Sequence, residues 1–193
     1  MSSPLAPVPT RLIGLYSPSP GCGKTTAAGV LQGQGFQPIS FAAPLRSMVF
    51  SLLLDLGYNS GEAHALLHTR KEELLPQLGV STRHLLRTLG TEWGRSCVHP
   101  SLWLQSFQSR LAGLDLVVVD DVRFANEAQL ILQLGGELWQ LRRPGHERPA
   151  EHASDGDLDG WDGFAGTLIN NGSLDDLQRT VLAALDGSAV VAA

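Results

Sequence analysis

Residues 11–26 read Arg11-Leu-Ile-Gly-Leu-Tyr16, then Ser17-Pro-Ser-Pro-Gly-Cys-Gly23, then Lys24-Thr-Thr26. The first six form a short apolar run of the kind that makes a buried strand, and the Pro- and Gly-rich stretch breaks it into a tight loop. Between Lys24 and Gln32 only Gly29 interrupts, so a helix is predicted to leave the loop at once. Strand, loop and helix in this order open a fold in which strands and helices alternate.

The alternation continues outward from this stretch. Residues 37–41 read as a second short strand. Residues 43–111 are helical in pattern, with interruptions near Gly57, at 76–81 and at His99-Pro100. Leu114-Asp-Leu-Val-Val-Val-Asp120 has the character of a buried parallel strand. Residues 124–134 read as a helix ended by Gly135-Gly136, and 137–142 as another strand. Residues 143–163 are rich in Gly, Pro, His, Asp and Arg without an apolar period, and a loop of that length is usually functional, as a lid is. Residues 167–170 predict a last strand, and 173–185 a closing helix with Ser173 as its cap and Asp176 at the capping-box position. The expected class is therefore α/β, a mainly parallel sheet with helices on both faces and ligands at the carboxyl ends of the strands. Without internal repeats or a second apolar core, residues 1–193 read as a single domain, with 1–10 and 187–193 as frayed tails.

Composition narrows the function. A formal charge of -5 argues against a binder of nucleic-acid polymers, so any positive site must be local. Two cysteines, Cys22 and Cys97, make neither a disulfide framework nor a four-ligand zinc site, which suits a reducing cytoplasm. No run approaches the ~20 apolar residues that span a bilayer, and the Ser/Pro-rich start is unlike a signal peptide.

Gly21-Cys-Gly-Lys-Thr-Thr26, after a strand and at the head of a helix, has the make-up of a phosphate cradle. Glycine lets consecutive N–H groups turn inward, and the helix N-terminus adds partial positive charge. Lys24 can reach the β- and γ-phosphates of ATP, and the Thr25 hydroxyl can ligate Mg²⁺. Pro18 stands where the full pattern has Gly, yet residues Gly21 to Thr25 keep their N–H donors. Mg²⁺ also wants a carboxylate at a neighbouring strand end, and Asp120 and Asp121 both qualify.

Cationic side chains supply the second half of the expectation. Arg83, Arg87, Thr91 and Arg95 recur every four residues and share one helix face, while Leu85, Leu89, Trp93 and Cys97 recur on a face expected to be buried. Guanidinium forks suit phosphate, and Gly90 and Gly94 permit a close backbone approach. Arg142, Arg143 and Arg148 lie in or beside the lid segment, where mobile arginines could close over a γ-phosphate. His146 and His152 read as surface or hydrogen-bonding residues rather than metal ligands.

Several segments together resemble the phage-type deoxynucleoside monophosphate kinases, a branch of the P-loop nucleoside monophosphate kinases. They are Phe41-Ala-Ala-Pro-Leu-Arg46, Arg87-Thr-Leu-Gly-Thr-Glu-Trp-Gly-Arg95, Asp121-Val-Arg-Phe-Ala-Asn-Glu127, Arg142-Arg-Pro-Gly145, His152-Ala-Ser-Asp155 and Ile169-Asn-Asn-Gly-Ser173. The resemblance covers roughly residues 11–186. It implies a three-layer P-loop kinase fold with a helical monophosphate-binding region and a lid, and an ATP- and Mg²⁺-dependent reaction giving a deoxynucleoside diphosphate. By that likeness Gly21, Cys22, Gly23, Lys24, Thr25 and Thr26 hold ATP, with Asn170, Asn171 and Gly172 near its adenine. Lys24, Asp121, Arg123 and Arg143 are the catalytic set, with Thr25 and Asp121 on the metal and Asp120 in reserve. Arg46, Arg87, Thr91, Glu92, Trp93 and Arg95 line the monophosphate site. The partners are small nucleotides, with no nucleic-acid polymer and no membrane, in the host cytoplasm if the chain is phage-encoded. A monomer and a homodimer both stay open. Two rival readings remain, a P-loop kinase of another metabolite such as dephospho-CoA, and a nucleotide-binding module without catalysis.

Overall fold

The computed structural model describes residues 8–146 and 157–187. In order, the chain runs β1 (Arg11–Tyr16), α1 (Lys24–Gly33), β2 (Gln37–Pro38), α2 (Ala43–Asp55), α3 (Ser60–His68), β3 (Leu74–Leu75), β4 (Val80–Ser81) and α4 (Thr82–Thr88). A π-helical segment, Leu89–Val98, follows, then α5 (Leu102–Ser109), β5 (Leu116–Val119), α6 (Ala125–Gln133), β6 (Glu137–Arg142), β7 (Gly166–Ile169) and α7 (Leu174–Leu185). These elements form two compact units, one of Met1–Ser40 with Phe107–Ala193 and one of Phe41–Ser106.

The first unit holds a five-stranded sheet in the order β2-β5-β1-β6-β7, with every pair parallel. Central β1 explains its own apolar run. Helices cover both faces of the sheet at this strand, so Leu12, Ile13, Leu15 and Tyr16 are all buried. Ala27, Leu31, Leu177 and Val181 from α1 and α7 pack on Ile13, Leu15, Val118, Trp139 and Leu141. Ile131 of α6 presses against Gly14 of β1 and supplies the third layer. The α/β class read from the sequence is thus the fold. The predicted cap of α7 is present, with the Ser173 hydroxyl accepting from Asp176 N and the Asp176 carboxylate accepting from Ser173 N. The second strand is shorter than the expected 37–41. Its register with β5 covers Gln37 and Pro38, and just beyond it the Ile39 N–H donates to Val118 O at 2.9 Å, so the Pro38 nitrogen faces the open edge where no donor is needed.

Gly29 sits mid-way along α1, exposed, with open space where a Cβ would stand. Gly29→Ala is expected to raise unfolding stability by about 0.5–1 kcal/mol, measurable by chemical denaturation, because the helix no longer carries glycine's backbone entropy.

The second unit has its own core, Val49, Leu53, Ala63, Leu66, Leu67 and Leu75, where the sequence reading expected none. Helices α2 and α3 supply most of this core, and α3 starts on a capping box between Asn59 and Glu62. The interruption at 76–81 proves to be a small antiparallel ladder pairing Leu74 with Ser81 and Leu75 with Val80.

The largest correction concerns the arginine helix. From Leu89 it winds as a π-helix, a wider turn than the α-helix the sequence pattern predicts. Trp93 is 44% exposed and Cys97 is exposed, where a buried stripe was expected. The buried positions are Gly90 and Gly94. The close approach these glycines permit is made by Trp103, whose indole N–H donates to Gly90 O at 2.8 Å. Arg83 forms an ion pair with Glu72, so its charge is neutralised within this unit.

Candidate active site

Glycine geometry builds the loop between β1 and α1. Gly21 and Gly23 have φ of 80° and 102°, the left-handed region that L side chains avoid, and Gly23 is the N-cap of α1. A Cβ at Gly23 would also lie 2.8 Å from the Asn170 amide nitrogen and 2.9 Å from Leu177 Cδ2. Asn170 itself donates its amide to Cys22 O at 3.1 Å, so the end of β7 braces the loop. Cys22 is buried, whereas Gly21, Thr25 and Thr26 are exposed. The loop therefore presents its glycine edge and two hydroxyls outward.

Lys24, the first residue of α1, folds back so that Nζ donates to the Ser17 hydroxyl at 3.0 Å. Burial, and then the Arg123 guanidinium, push its ammonium below the usual lysine range, while Cys22, Asp120 and Asp121 pull the other way. Lys24, Arg123 and both aspartates thus share one electrostatic neighbourhood at the carboxyl ends of β1 and β5. The Ser40 hydroxyl donates to Asp121, a link that no sequence pattern signals. Arg123 is exposed, and its backbone N–H donates to buried Glu127 at 2.8 Å, which anchors the start of α6.

Beyond the loop, a cleft of about 290 Å³ is lined by Pro18, Ser19, Cys22, Arg142, Arg143, His146 and Asp159. Arg143 Nη1 reaches Gly21 O over a long 3.4 Å. Asp159 is held by the Tyr16 hydroxyl at 3.1 Å, and Asp157 accepts from Ala125 N at 2.7 Å. Buried Leu158 between them fixes this part of the lid segment. Residues 147–156, including Arg148, His152 and Asp155, lie outside the described residues, as do 1–7 and 188–193 of the expected tails. Asn171 and Gly172 are exposed at the head of α7.

In the second unit Arg46 stands in the first turn of α2 and Arg87 in the last turn of α4. Thr91, Glu92, Trp93 and Arg95 all sit on the π-helical segment. Glu92 and Trp93 are exposed, while Arg87, Thr91 and Arg95 are half-buried. Ser17, Ser40 and Asp159 were missed by the sequence reading. Only Ser17 carried a signal, as the first polar residue after the strand.

Among the described residues no group of three or more His, Cys, Asp or Glu side chains could hold a metal ion, and no helix is long and apolar enough to cross a membrane. No protein-family model matches the chain. It is 30% identical to a protein of Acanthamoeba polyphaga mimivirus provisionally named deoxynucleotide monophosphate kinase, over 92% of this chain and 97% of that one. A stretch of 68 residues, 34% of this chain and 27% of the relative, is 40% identical to the deoxynucleoside-5'-monophosphate kinase of Escherichia phage T5. Among solved structures, dephospho-CoA kinase from Campylobacter jejuni superposes with a TM-score of 0.51 at 11% identity, covering 93% of this chain and 98% of that one. TT1252 from Thermus thermophilus gives 0.50 at 20% identity over 94% and 99%. At such identities these two structures speak for the fold alone.

Proposed function

We propose, because this chain belongs to the deoxynucleoside monophosphate kinases, that it transfers the γ-phosphoryl group of ATP, with Mg²⁺, to a deoxynucleoside monophosphate. The observation that carries the reading is the glycine loop at the head of α1 with Lys24 folded back to Ser17, beside a pair of carboxylates and Arg123. In the reaction an oxygen of the acceptor phosphate bonds to the γ-phosphorus while the bond from that phosphorus to the β–γ bridging oxygen breaks. The products are a deoxynucleoside diphosphate and ADP.

Phosphoryl transfer asks a protein mainly for positioning and charge. The N–H groups of Gly21 to Thr25 cradle the donor phosphates, and Lys24 exchanges its Ser17 partner for phosphate oxygens. Arg123 and Arg143 stabilise charge on the transferring group, and Asn170 to Gly172 flank the adenine. The donor set fits Mg²⁺, which favours hydroxyl and carboxylate oxygens and leaves places for phosphate. Thr25 and Asp121 would hold it, with Ser40 fixing the Asp121 carboxylate, and the bound ion would neutralise phosphate charge. Arg46, Arg87, Thr91, Glu92, Trp93 and Arg95 receive the monophosphate, so the residues proposed for the donor belong to the sheet unit and those proposed for the acceptor to the helical unit. Residues 143–163 act as the lid. A reducing cytoplasm suits this assignment, since Cys22 and Cys97 are free thiols.

A coupled ADP-release assay with ATP and Mg²⁺ tests the reading against the four deoxynucleoside monophosphates, their ribonucleotides and dephospho-CoA. Turnover with at least one deoxynucleotide is expected. Turnover with dephospho-CoA alone, or ATP binding without acceptor-dependent ADP, would sink it. Asp121→Asn is expected to lower kcat about a hundredfold and to raise the Mg²⁺ requirement, with Asp120→Asn milder. The reverse order in a Mg²⁺ titration would move the metal role to Asp120.

A further inference from the structure

One side chain in β6 departs from its neighbours. Leu138, Trp139 and Leu141 are apolar and buried, and Gln140 among them is only 7% exposed. A buried amide needs hydrogen-bond partners, so its position is set by whatever supplies them. The Gln140 Oε1 accepts from Arg142 Nε at 2.9 Å and from the Thr167 hydroxyl at 3.2 Å.

The sheet itself creates this row. Gln140 and Arg142 are two apart on one strand and so project from the same face. Thr167 is the register partner of Gln140 on β7. Three polar groups thus form a row that starts inside the sheet at Thr167 and Gln140 and ends at Arg142, the last residue of β6, at the end where parallel sheets bind ligands. Arg142 lines the same cleft as Pro18, Ser19 and Cys22 of the phosphate loop. With Nε engaged by Gln140, the fork left to a ligand is the pair of terminal nitrogens, which matches two oxygens of a phosphate. The neighbouring Arg143 lies just past the strand and, among the described residues, its side chain makes the long contact to Gly21 O.

We propose that Arg142 is an anion-binding residue of the donor-phosphate cleft and that Gln140 is the positioning residue that sets the plane of its guanidinium. The assignment rests on reading the cleft beside the loop as the ATP phosphate site, and it adds two residues to that site. Thr167 keeps the Gln140 oxygen turned towards Arg142 by sharing it.

The test compares the parent with Gln140→Leu, Arg142→Ala, Arg142→Lys and the Gln140→Leu/Arg142→Ala double variant. Calorimetry measures the Kd for ATP with Mg²⁺, and the coupled assay measures both KM values and kcat. Gln140→Leu keeps the volume and removes the acceptor. It is expected to weaken ATP about tenfold, the usual weight of a hydrogen bond to a charged group, and to leave the acceptor KM within about twofold. The double variant should be no weaker for ATP than Arg142→Ala, because Gln140 acts only through Arg142. Arg142→Lys keeps the charge at an exposed position but has no Nε to anchor, so it should lose nearly as much as Gln140→Leu. An unchanged ATP Kd in Gln140→Leu alongside a lower unfolding midpoint would reduce Gln140 to a core residue and overturn the proposal. So would additive losses in the double variant, or full ATP affinity in Arg142→Lys. Should the parent bind ATP yet turn over no deoxynucleotide, the kinase reading fails while the Kd series still judges Gln140.

Discussion

Lys24→Met is expected to lower kcat about a thousandfold while the protein becomes no less stable, and more stable by about 1 kcal/mol. Two opposing demands meet at this one ammonium. The proposed reaction asks for a positive charge that can leave Ser17 for the γ-phosphate, and no thioether replaces it. Folding, in contrast, must take the charge partly out of water and near the Arg123 guanidinium, which is why its pKa lies below the ordinary 10.5. That shift fixes the pH dependence. The folded state releases the Lys24 proton before the unfolded chain does, so the penalty is full below the folded pKa and fades as pH rises towards 10.5. The stability advantage of Lys24→Met should therefore shrink with rising pH, as read by denaturant titrations at neutral and alkaline pH. A variant that is less stable than the parent at neutral pH would mean that the Ser17 hydrogen bond outweighs the cost of burial.

Gly94→Ala should be the most damaging single methyl in the helical unit. A Cβ there would stand 2.4 Å from Trp103 Cζ2 and 2.6 Å from Cε2 and Nε1, with both residues buried. The indole has nowhere cheap to go, because its N–H is tied to Gly90 O and its ring lies against Trp93 at a centroid distance of 6.3 Å. Overpacking of this kind costs about 2–3 kcal/mol. Denaturation followed by tryptophan fluorescence would show both the loss and the displaced indole. Since the π-helical segment carries Thr91, Glu92, Trp93 and Arg95, the acceptor KM should rise while the ATP Kd holds. Gly29→Ala is the internal comparison, a glycine in a helix with open space around it and an expected gain. An unaltered midpoint in Gly94→Ala would show that the segment can rewind to accommodate the methyl.

Much of the sheet unit was legible from order alone. The apolar run of β1, its break into Ser17-Pro-Ser-Pro-Gly-Cys-Gly23 and the β-branched stretch at 116–119 depend on local chemistry: breakers, backbone freedom and burial on both faces. The α7 cap was readable for the same reason, since Ser173 and Asp176 are three residues apart and meet within one turn. The helical unit was less legible. A period of 3.6 is the default for any helical pattern, and nothing local to residues 89–98 announces a π-helix. The contact that the segment makes with Trp103 was equally hidden, since that residue lies 13 positions from Gly90 and becomes its neighbour only when the chain folds.

The same division runs through the chemistry. Residue types and their spacing by themselves determined the glycine loop between β1 and α1, with Lys24 and Thr25 at its end, because the breakers that turn the chain and the helix that follows are local. Tertiary structure alone decided what each group leans on. Asp121 is held by Ser40, 81 positions away, Asn170 braces the loop at Cys22 across 148, and Thr167 shares the Gln140 oxygen with Arg142 across 27. Such contacts form between segments that the parallel sheet gathers in space, and the hydrogen bonds that orient a charge depend on that distance rather than on separation along the chain.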